Sequence, residues 1–176
     1  MKSVAPPGMK RVAIIGCSGT GKSTFARRLH EETGLPVIHL DREYWRPGWV
    51  FDNSDANLAR IRNRFEKEDE WIVDGNYAVT MRARLARADT VFFFDYPTHV
   101  CLWRVFWRVW RNRGKDRPDC GEGCPERFSG EFFRFVLNFR RKSRGELVAI
   151  LGEFDHLRVF HFTSPRDFDA QMPRPG

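Results

Sequence analysis

The chain has 176 residues, 41% of them hydrophobic and 30% charged, and a formal charge of +7. That length and composition fit one globular domain able to bury a core, and exclude a low-complexity or repeat-built chain. The positive charge favours anionic partners, but nucleotides satisfy it as well as nucleic acid does, so charge does not separate the two.

Residues 1–10 read as a loose tail without the apolar core of a signal peptide. Arg11–Ile15 is a short apolar β run, followed by Gly16-Cys17-Ser18-Gly19-Thr20-Gly21-Lys22-Ser23 and a helical stretch from Lys22 to Glu32 that stops before Gly34 and Pro36. The pattern G-x-x-x-x-G-K-S between a strand and a helix is the phosphate-binding P-loop in its required context. Its glycines let the backbone curl so that several N–H groups converge on phosphate oxygens, and the helix N-terminus adds a favourable dipole. Residues Gly16, Cys17, Ser18, Gly19, Thr20, Gly21, Lys22, Ser23 and Thr24 are therefore expected to bind ATP. Lys22 would reach the β- and γ-phosphates, and the Ser23 hydroxyl would ligate Mg²⁺.

Four further β runs follow, Pro36–Leu40, Trp71–Val73, Thr90–Phe94 and Arg158–Phe162, alternating with helical segments. This predicts a single domain over 1–176 of three-layer α/β P-loop NTPase type, with a parallel five-stranded sheet and helices on both faces. Ser54–Asp69 reads as an amphipathic helix with Ser54 as N-cap. Thr98–Arg111, Glu131–Arg144 and Gly145–Phe154 read as further helices. The polar stretch 112–129, between two arginine-bearing helices, reads as a mobile lid. The apolar run from Val91 to Trp110 is interrupted by Asp95, Pro97, Arg104 and Arg108, which a lipid-facing helix would not carry.

The first four strands end at Gly16, Asp41, Asp74 and Asp95, and ligands of open α/β sheets sit beyond the carboxyl ends of strands. Asp41 is expected to orient or deprotonate an acceptor hydroxyl across the cleft from the P-loop, if the strand order is 2-3-1-4-5. Asp74 is expected to hold the water shell of Mg²⁺ together with Ser23, with Gly75 allowing close backbone approach. Arg104, Arg108 and Arg111 share one helix face. Arginine stacks on adenine and binds phosphate bidentately, though an ordinary solvated stripe has the same spacing. Arg140 and Arg141 are candidate catalytic clamps on the transferring phosphoryl group. Trp45 and Trp49 either wall an acceptor pocket or simply pack.

Four cysteines beside a P-loop point to the reducing cytosol rather than a disulfide framework. Cys120 and Cys124 supply half a tetrahedral zinc site, and His39, His99, His156 and His161 are too scattered to complete it. Cys17 reads as a small filler with an exposed thiol open to oxidation.

The stretches GCSGTGKST, PVIHLDREYWRPGW, WIVDGNY and EGCPERF resemble the topology modulation proteins (FlaR-related), a branch of adenylate-kinase-like P-loop proteins, over about residues 10 to 165. The resemblance implies ATP binding on a 2-3-1-4-5 sheet with a lid. Asp95, Pro97, Arg104 and Arg108 are similar to the Asp-x-Pro and paired lid-helix arginines of adenylate kinases, which would place Arg104 near adenine and Arg108, as a catalytic group, near phosphate. Asp74-Gly75 resembles their Asp-Gly-Phe-Pro-Arg turn, but Asn76-Tyr77 replaces its remainder and removes an arginine that would hold a nucleoside monophosphate. Asp41-Arg42-Glu43-Tyr44 resembles the Asp-rich turn of uridine-kinase-like enzymes.

These readings predict a cytoplasmic ATP- and Mg²⁺-dependent phosphotransferase acting on a small nucleoside-like, nucleotide-like or hydroxyl-bearing acceptor. The alternatives are a nucleic-acid-associated ATPase without a small acceptor, for which the chain carries no helix-turn-helix or RNA-recognition pattern, and a nucleotide-binding regulator without turnover.

Overall fold

The computed structural model describes residues 5–172, so the first four residues of the expected tail lie outside the described part. In chain order the elements are β1 (Arg11–Gly16), α1 (Lys22–Thr33), β2 (Val37–His39), α2 (Leu40–Tyr44), β3 (Trp45–Arg46), β4 (Val50–Phe51), α3 (Asp55–Lys67), β5 (Trp71–Asp74), α4 (Ala78–Arg87), β6 (Thr90–Phe94), α5 (Thr98–Asn112), α6 (Gly130–Lys142), α7 (Arg144–Leu151), β7 (Arg158–Phe162) and α8 (Pro165–Gln171). The main sheet runs β2-β5-β1-β6-β7 with every pair parallel. Counting only its five strands, that is the expected order 2-3-1-4-5, flanked by helices in the three-layer α/β arrangement.

The inner strands are buried from end to end, as a sheet covered on both faces requires. Val12 to Ile15, Trp71 to Val73 and Val91 to Phe94 are all core residues. Phe25 of α1 packs edge-on against Phe92 at 4.8 Å and against Phe168 of α8 at 5.3 Å, locking the P-loop helix to the sheet. Ser54 caps α3 by accepting the Asn57 N–H at 3.3 Å, as its position before the helix leads one to expect. No helix among the described residues is long and apolar enough to cross a membrane.

Three features depart from the sequence reading. The segment after β2 is not a plain loop: α2 runs directly into a short antiparallel hairpin, β3 paired with β4. Two further helices, α4 and α8, were not anticipated, whereas the expected helices Glu131–Arg144 and Gly145–Phe154 are present as α6 and α7, which meet at Ser143. The stretch 112–129 has no helix, as expected, but it is not a free excursion. It is stitched to the hairpin by Gly48 N–H donating to Gly123 O at 2.8 Å, Trp49 Nε1 donating to Pro125 O at 3.0 Å and Cys124 Sγ against Arg46 O at 3.0 Å. Asp119, Cys120, Cys124 and Glu126 are buried by this docking.

Candidate active site

The P-loop geometry follows from its glycines. Gly16 has φ 133°, and a Cβ there would sit 2.1 Å from the carbonyl oxygen of Phe94 on the neighbouring strand. At Gly19, φ 84°, a Cβ would meet Cys101 O at 2.6 Å and Val105 Cγ2 at 2.8 Å, so α5 packs directly onto the loop. Beneath the curl, Thr20 Oγ1 donates to Cys17 O at 2.8 Å and Lys22 Nζ donates to the same oxygen at 2.7 Å.

Ser18, Gly19, Gly21, Lys22, Ser23 and Thr24 line a cavity of about 940 Å³. Gly16, Cys17 and Thr20 lie under the loop rather than on the cavity wall. Cys17 is 1% exposed, which corrects the reading of an open thiol. Its thiol is hydrogen-bonded with that of Cys101, an arrangement that pushes the Cys17 pKa up and the Cys101 pKa down.

The same cavity reaches Asp41, Trp45, Trp49, Asp74, Tyr77, Arg104, Arg108, Arg117 and Asp119. Asp41 belongs to the first turn of α2 rather than to the strand end. Its carboxylate accepts the Tyr77 hydroxyl at 2.6 Å and lies 3.8 Å from the Arg117 guanidinium. Its side chain is 42% exposed, and that exposure is to the cleft, whose walls raise the pKa of the carboxyl by desolvation against the opposing pull of Tyr77 and Arg117. Burial and the Asp41 charge likewise push the Tyr77 phenol up. Asp74 accepts a contact from His39 Nδ1 at 3.0 Å while still lining the cavity.

Two residues anchor the turn between β5 and α4. The Asn76 amide bridges to the P-loop, its oxygen accepting Gly16 N–H at 2.8 Å and its nitrogen donating to Gly16 O at 2.8 Å. Arg84 is fully buried and donates to the carbonyls of Gly75 at 2.9 Å and Asn76 at 2.8 Å; burial lowers its pKa to about 10. The departure Asn76-Tyr77 from the adenylate-kinase turn thus supplies a strap to the P-loop and a partner for Asp41.

The arginines sort into two sets. Arg104 donates to Thr20 O at 3.2 Å with its guanidinium 5.7 Å from the Tyr96 ring, and Arg108 lies 3.0 Å from Glu126. Both line the cavity; Arg111 does not, and sits over the Trp107 ring at 5.8 Å. Arg140 is drawn to Asp95 at 3.6 Å, Arg141 donates to Asn138 at 3.0 Å, and neither lines the cavity. The expected clamp from α6 is therefore not assembled here, because Asp95 takes Arg140. Asp95 is also withdrawn from the expected rim: it is buried and held by Arg144 at 2.7 Å and His161 at 3.1 Å.

Arg117, which sequence reasoning passed over, joins Asp41, Asp119 at 3.3 Å and Glu126 at 2.8 Å. Burial opposes its charge, but the three carboxylates outweigh it and hold its pKa above the ordinary value. Burial and the neighbouring Arg117 lower the pKa of Arg108. Nε of Arg108 and Nε of Arg117 are buried close to Glu126 Oε1 without an aligned hydrogen bond. The stretch expected to be a mobile lid is tied down: Glu126 is shared between Arg108 and Arg117, and Asp119 adds a second carboxylate to Arg117. No local pattern marks Arg117 or Glu126; their pairing is between distant segments.

Ser23, Asp74 and Asp119 put hard oxygen atoms on one cavity, and these are the side chains that would serve Mg²⁺. Burial pushes Asp119 up, but Arg117 and the Ser23 hydroxyl outweigh it, so its pKa falls below the ordinary value. No group of three or more His, Cys, Asp or Glu among the described residues is close enough to hold a metal by itself. The set therefore fits an ion that keeps most of its waters and takes its remaining ligands from phosphates.

Residues 11–108, more than half of the chain, match the family model of an AAA domain. The chain belongs to that family. Among solved structures, this AAA-type P-loop domain is similar to the shikimate kinase from Acinetobacter baumannii in complex with shikimate. The two share 17% identity over 93% of this chain and 89% of that one, with a TM-score of 0.54. At that identity the likeness establishes the fold. No curated protein matches the chain.

Proposed function

We propose that this AAA-family chain transfers the γ-phosphoryl group of ATP to a small hydroxyl-bearing or nucleotide-like acceptor, as a kinase of the adenylate-kinase-like kind. The observation that carries the reading is one cavity of about 940 Å³ lined by the P-loop at one end and by Asp41 with Tyr77, Trp45 and Trp49 at the other. The similar fold is that of a kinase solved with shikimate, which supports a small-molecule acceptor. The finer kinship to topology modulation proteins rests on the four stretches quoted above and belongs to the same proposal.

In this reading Lys22 leaves Cys17 O and neutralises the β- and γ-phosphates. Arg104 lies against adenine. Arg108, joined by Arg117, turns its guanidinium from Glu126 to the transferring group, where charge develops. Asp41, with its raised pKa, takes up or orients the acceptor proton while the Tyr77 hydroxyl fixes the carboxylate. Ser23 and Asp74, with Asp119, would hold Mg²⁺ through its waters, and the ion would supply charge neutralisation at the phosphates.

The test is a screen of nucleosides, nucleoside monophosphates and small alcohols with γ-labelled ATP and Mg²⁺. Label transfer that disappears in Lys22→Ala is the expected result. A second reading, an ATPase associated with single-stranded nucleic acid, is favoured by the exposed rings of Trp103 and Trp110, each 63% exposed, with Arg111 stacked on Trp107 beside them. A blank acceptor screen, with hydrolysis stimulated by DNA and abolished by salt, would favour it over the kinase.

A further inference from the structure

A second cavity, of about 420 Å³, lies beside the edge strand β2 and is walled by charge. Arg42 of α2, Arg46 of β3 and Arg60 and Arg64 of α3 line it together with His39 and Glu43. Glu43 is buried and pairs with Arg60 at 2.6 Å and with Arg64. Arg46 donates through Nε and a terminal nitrogen to Asp52 at 3.0 and 2.9 Å. Arg42 is exposed and makes no ion pair among the described residues. Four guanidiniums thus meet two carboxylates, and the side chains of Arg46, Arg60 and Arg64 keep 42%, 46% and 46% of their surface open. Converging arginines from three elements with positive charge in excess repel one another unless an anion sits between them, and the planar guanidinium matches phosphate oxygens in pairs.

We propose that this cavity binds a small multivalent phosphate, either inorganic pyrophosphate or a phosphate monoester, as an effector of the main cavity. The connection is built into eight residues. Between positions 39 and 46, His39, Arg42, Glu43 and Arg46 line the arginine cavity, while Asp41 and Trp45 line the P-loop cavity. The segment is held at its base by Asn57, whose side chain donates to Glu43 O at 3.0 Å and to Asp52 O at 2.7 Å. An anion drawing Arg42 and Arg46 together acts on α2 and β3, and so on the two groups that face the acceptor. This site stands apart from the proposed phosphotransfer, since its ligand is recognised whether or not ATP is turned over.

The test uses the full chain carrying Lys22→Ala, which weakens phosphate binding at the P-loop. Calorimetric titration with pyrophosphate, and in a parallel arm with glycerol phosphate, should show a saturable site. Arg42→Glu added to that background should weaken it by about tenfold or more, the loss expected of a charge-assisted contact turned into a repulsion. Arg42→Gln, which keeps the length of the side chain without its charge, should fall between the two. The tighter of the two probes identifies the source of the phosphate. Amide exchange over residues 39–46 should slow when pyrophosphate is added. Absence of saturable binding in the Lys22→Ala protein, or equal binding by Arg42→Glu, would overturn the site. Unchanged exchange over 39–46 at saturation would overturn its role as an effector.

Discussion

On one side of the main cavity the cradle proposed for the ATP phosphates is a single run of nine consecutive residues, Gly16 to Thr24. On the opposite wall Asp41, the Asp74–Tyr77 turn and Arg117 come from three separate stretches of chain, and the last is reached only because 112–129 docks on the β3–β4 hairpin. The first wall is shaped by backbone torsions, which sequence writes locally. The second is shaped by pairings between distant charges. The first is therefore robust to substitutions elsewhere, whereas the second depends on its partners.

The largest expected effect falls on the local wall. Lys22→Ala should cut ATP turnover by ~10³-fold, since the lost charge acts where negative charge accumulates. Its far-UV circular dichroism should stay unchanged, because Lys22 makes only one bond to the loop, to Cys17 O. A folded variant with full turnover would remove the P-loop from the reaction.

Asp41→Asn probes the assembled wall. Phosphoryl transfer should fall by ~10²-fold while background ATP hydrolysis and ATP affinity change little. Asp74→Asn should instead raise the Mg²⁺ requirement of both, so identical kinetic profiles for the two variants would erase the division of roles. The raised pKa of Asp41 sets the sign of two pH effects. Transfer should fall as pH drops through a value above the ordinary aspartate range, and Asp41→Asn should lack that acid limb. Because the fold favours protonated Asp41, its stabilising contribution is complete below the ordinary aspartate pKa and is lost as pH rises through the raised one. Asp41→Asn should then melt no lower than the parent at pH 7, as followed by thermal scanning.

Glu126→Gln asks how far the second wall rests on its ion pairs. Glu126 is 4% exposed and serves Arg108 at 3.0 Å and Arg117 at 2.8 Å, so the variant leaves two partly buried guanidiniums short of a counter-charge. A loss of about 3 kcal/mol in urea unfolding is expected. Hydrogen exchange should rise across 112–129 but not across 16–24. Equal loosening of both segments would mean that the two walls share one foundation after all.

The legibility of the chain divides along the same line. Gly16-Cys17-Ser18-Gly19-Thr20-Gly21-Lys22-Ser23 and the apolar runs Arg11–Ile15 and Thr90–Phe94 state their structure in a few neighbouring residues, while the strand order came only from the family resemblance. The hairpin after α2 was missed because its strands are two residues each, with Val50 and Phe51 exposed, so no alternation marks them. Helix α4 escaped because Arg84, a residue of solvent-facing type, is one of its buried positions. Asp95 looked like a third acid at the rim, and only the fold reveals Arg140, Arg144 and His161 closing around it.

The smallest expected effect concerns the arginines of α6, where a cationic pair beside a lid suggested a clamp. Arg141 is exposed and bonded to its helix neighbour Asn138, one turn away. Arg140 is the outermost of three partners of Asp95, at 3.6 Å, behind Arg144 and His161. Arg141→Ala should therefore leave both transfer and stability within about twofold, the range of an ordinary surface substitution. Arg140→Ala should cost little more, because Asp95 keeps two closer partners. Arg108→Ala, which takes a cation off the cavity wall, should cost transfer ~10²-fold under the same conditions. Closure around bound nucleotide is the one way Arg140 or Arg141 could still reach the phosphates. A loss from Arg141→Ala comparable to that from Arg108→Ala, measured as kcat with saturating ATP, would show that closure carries α6 onto the cavity.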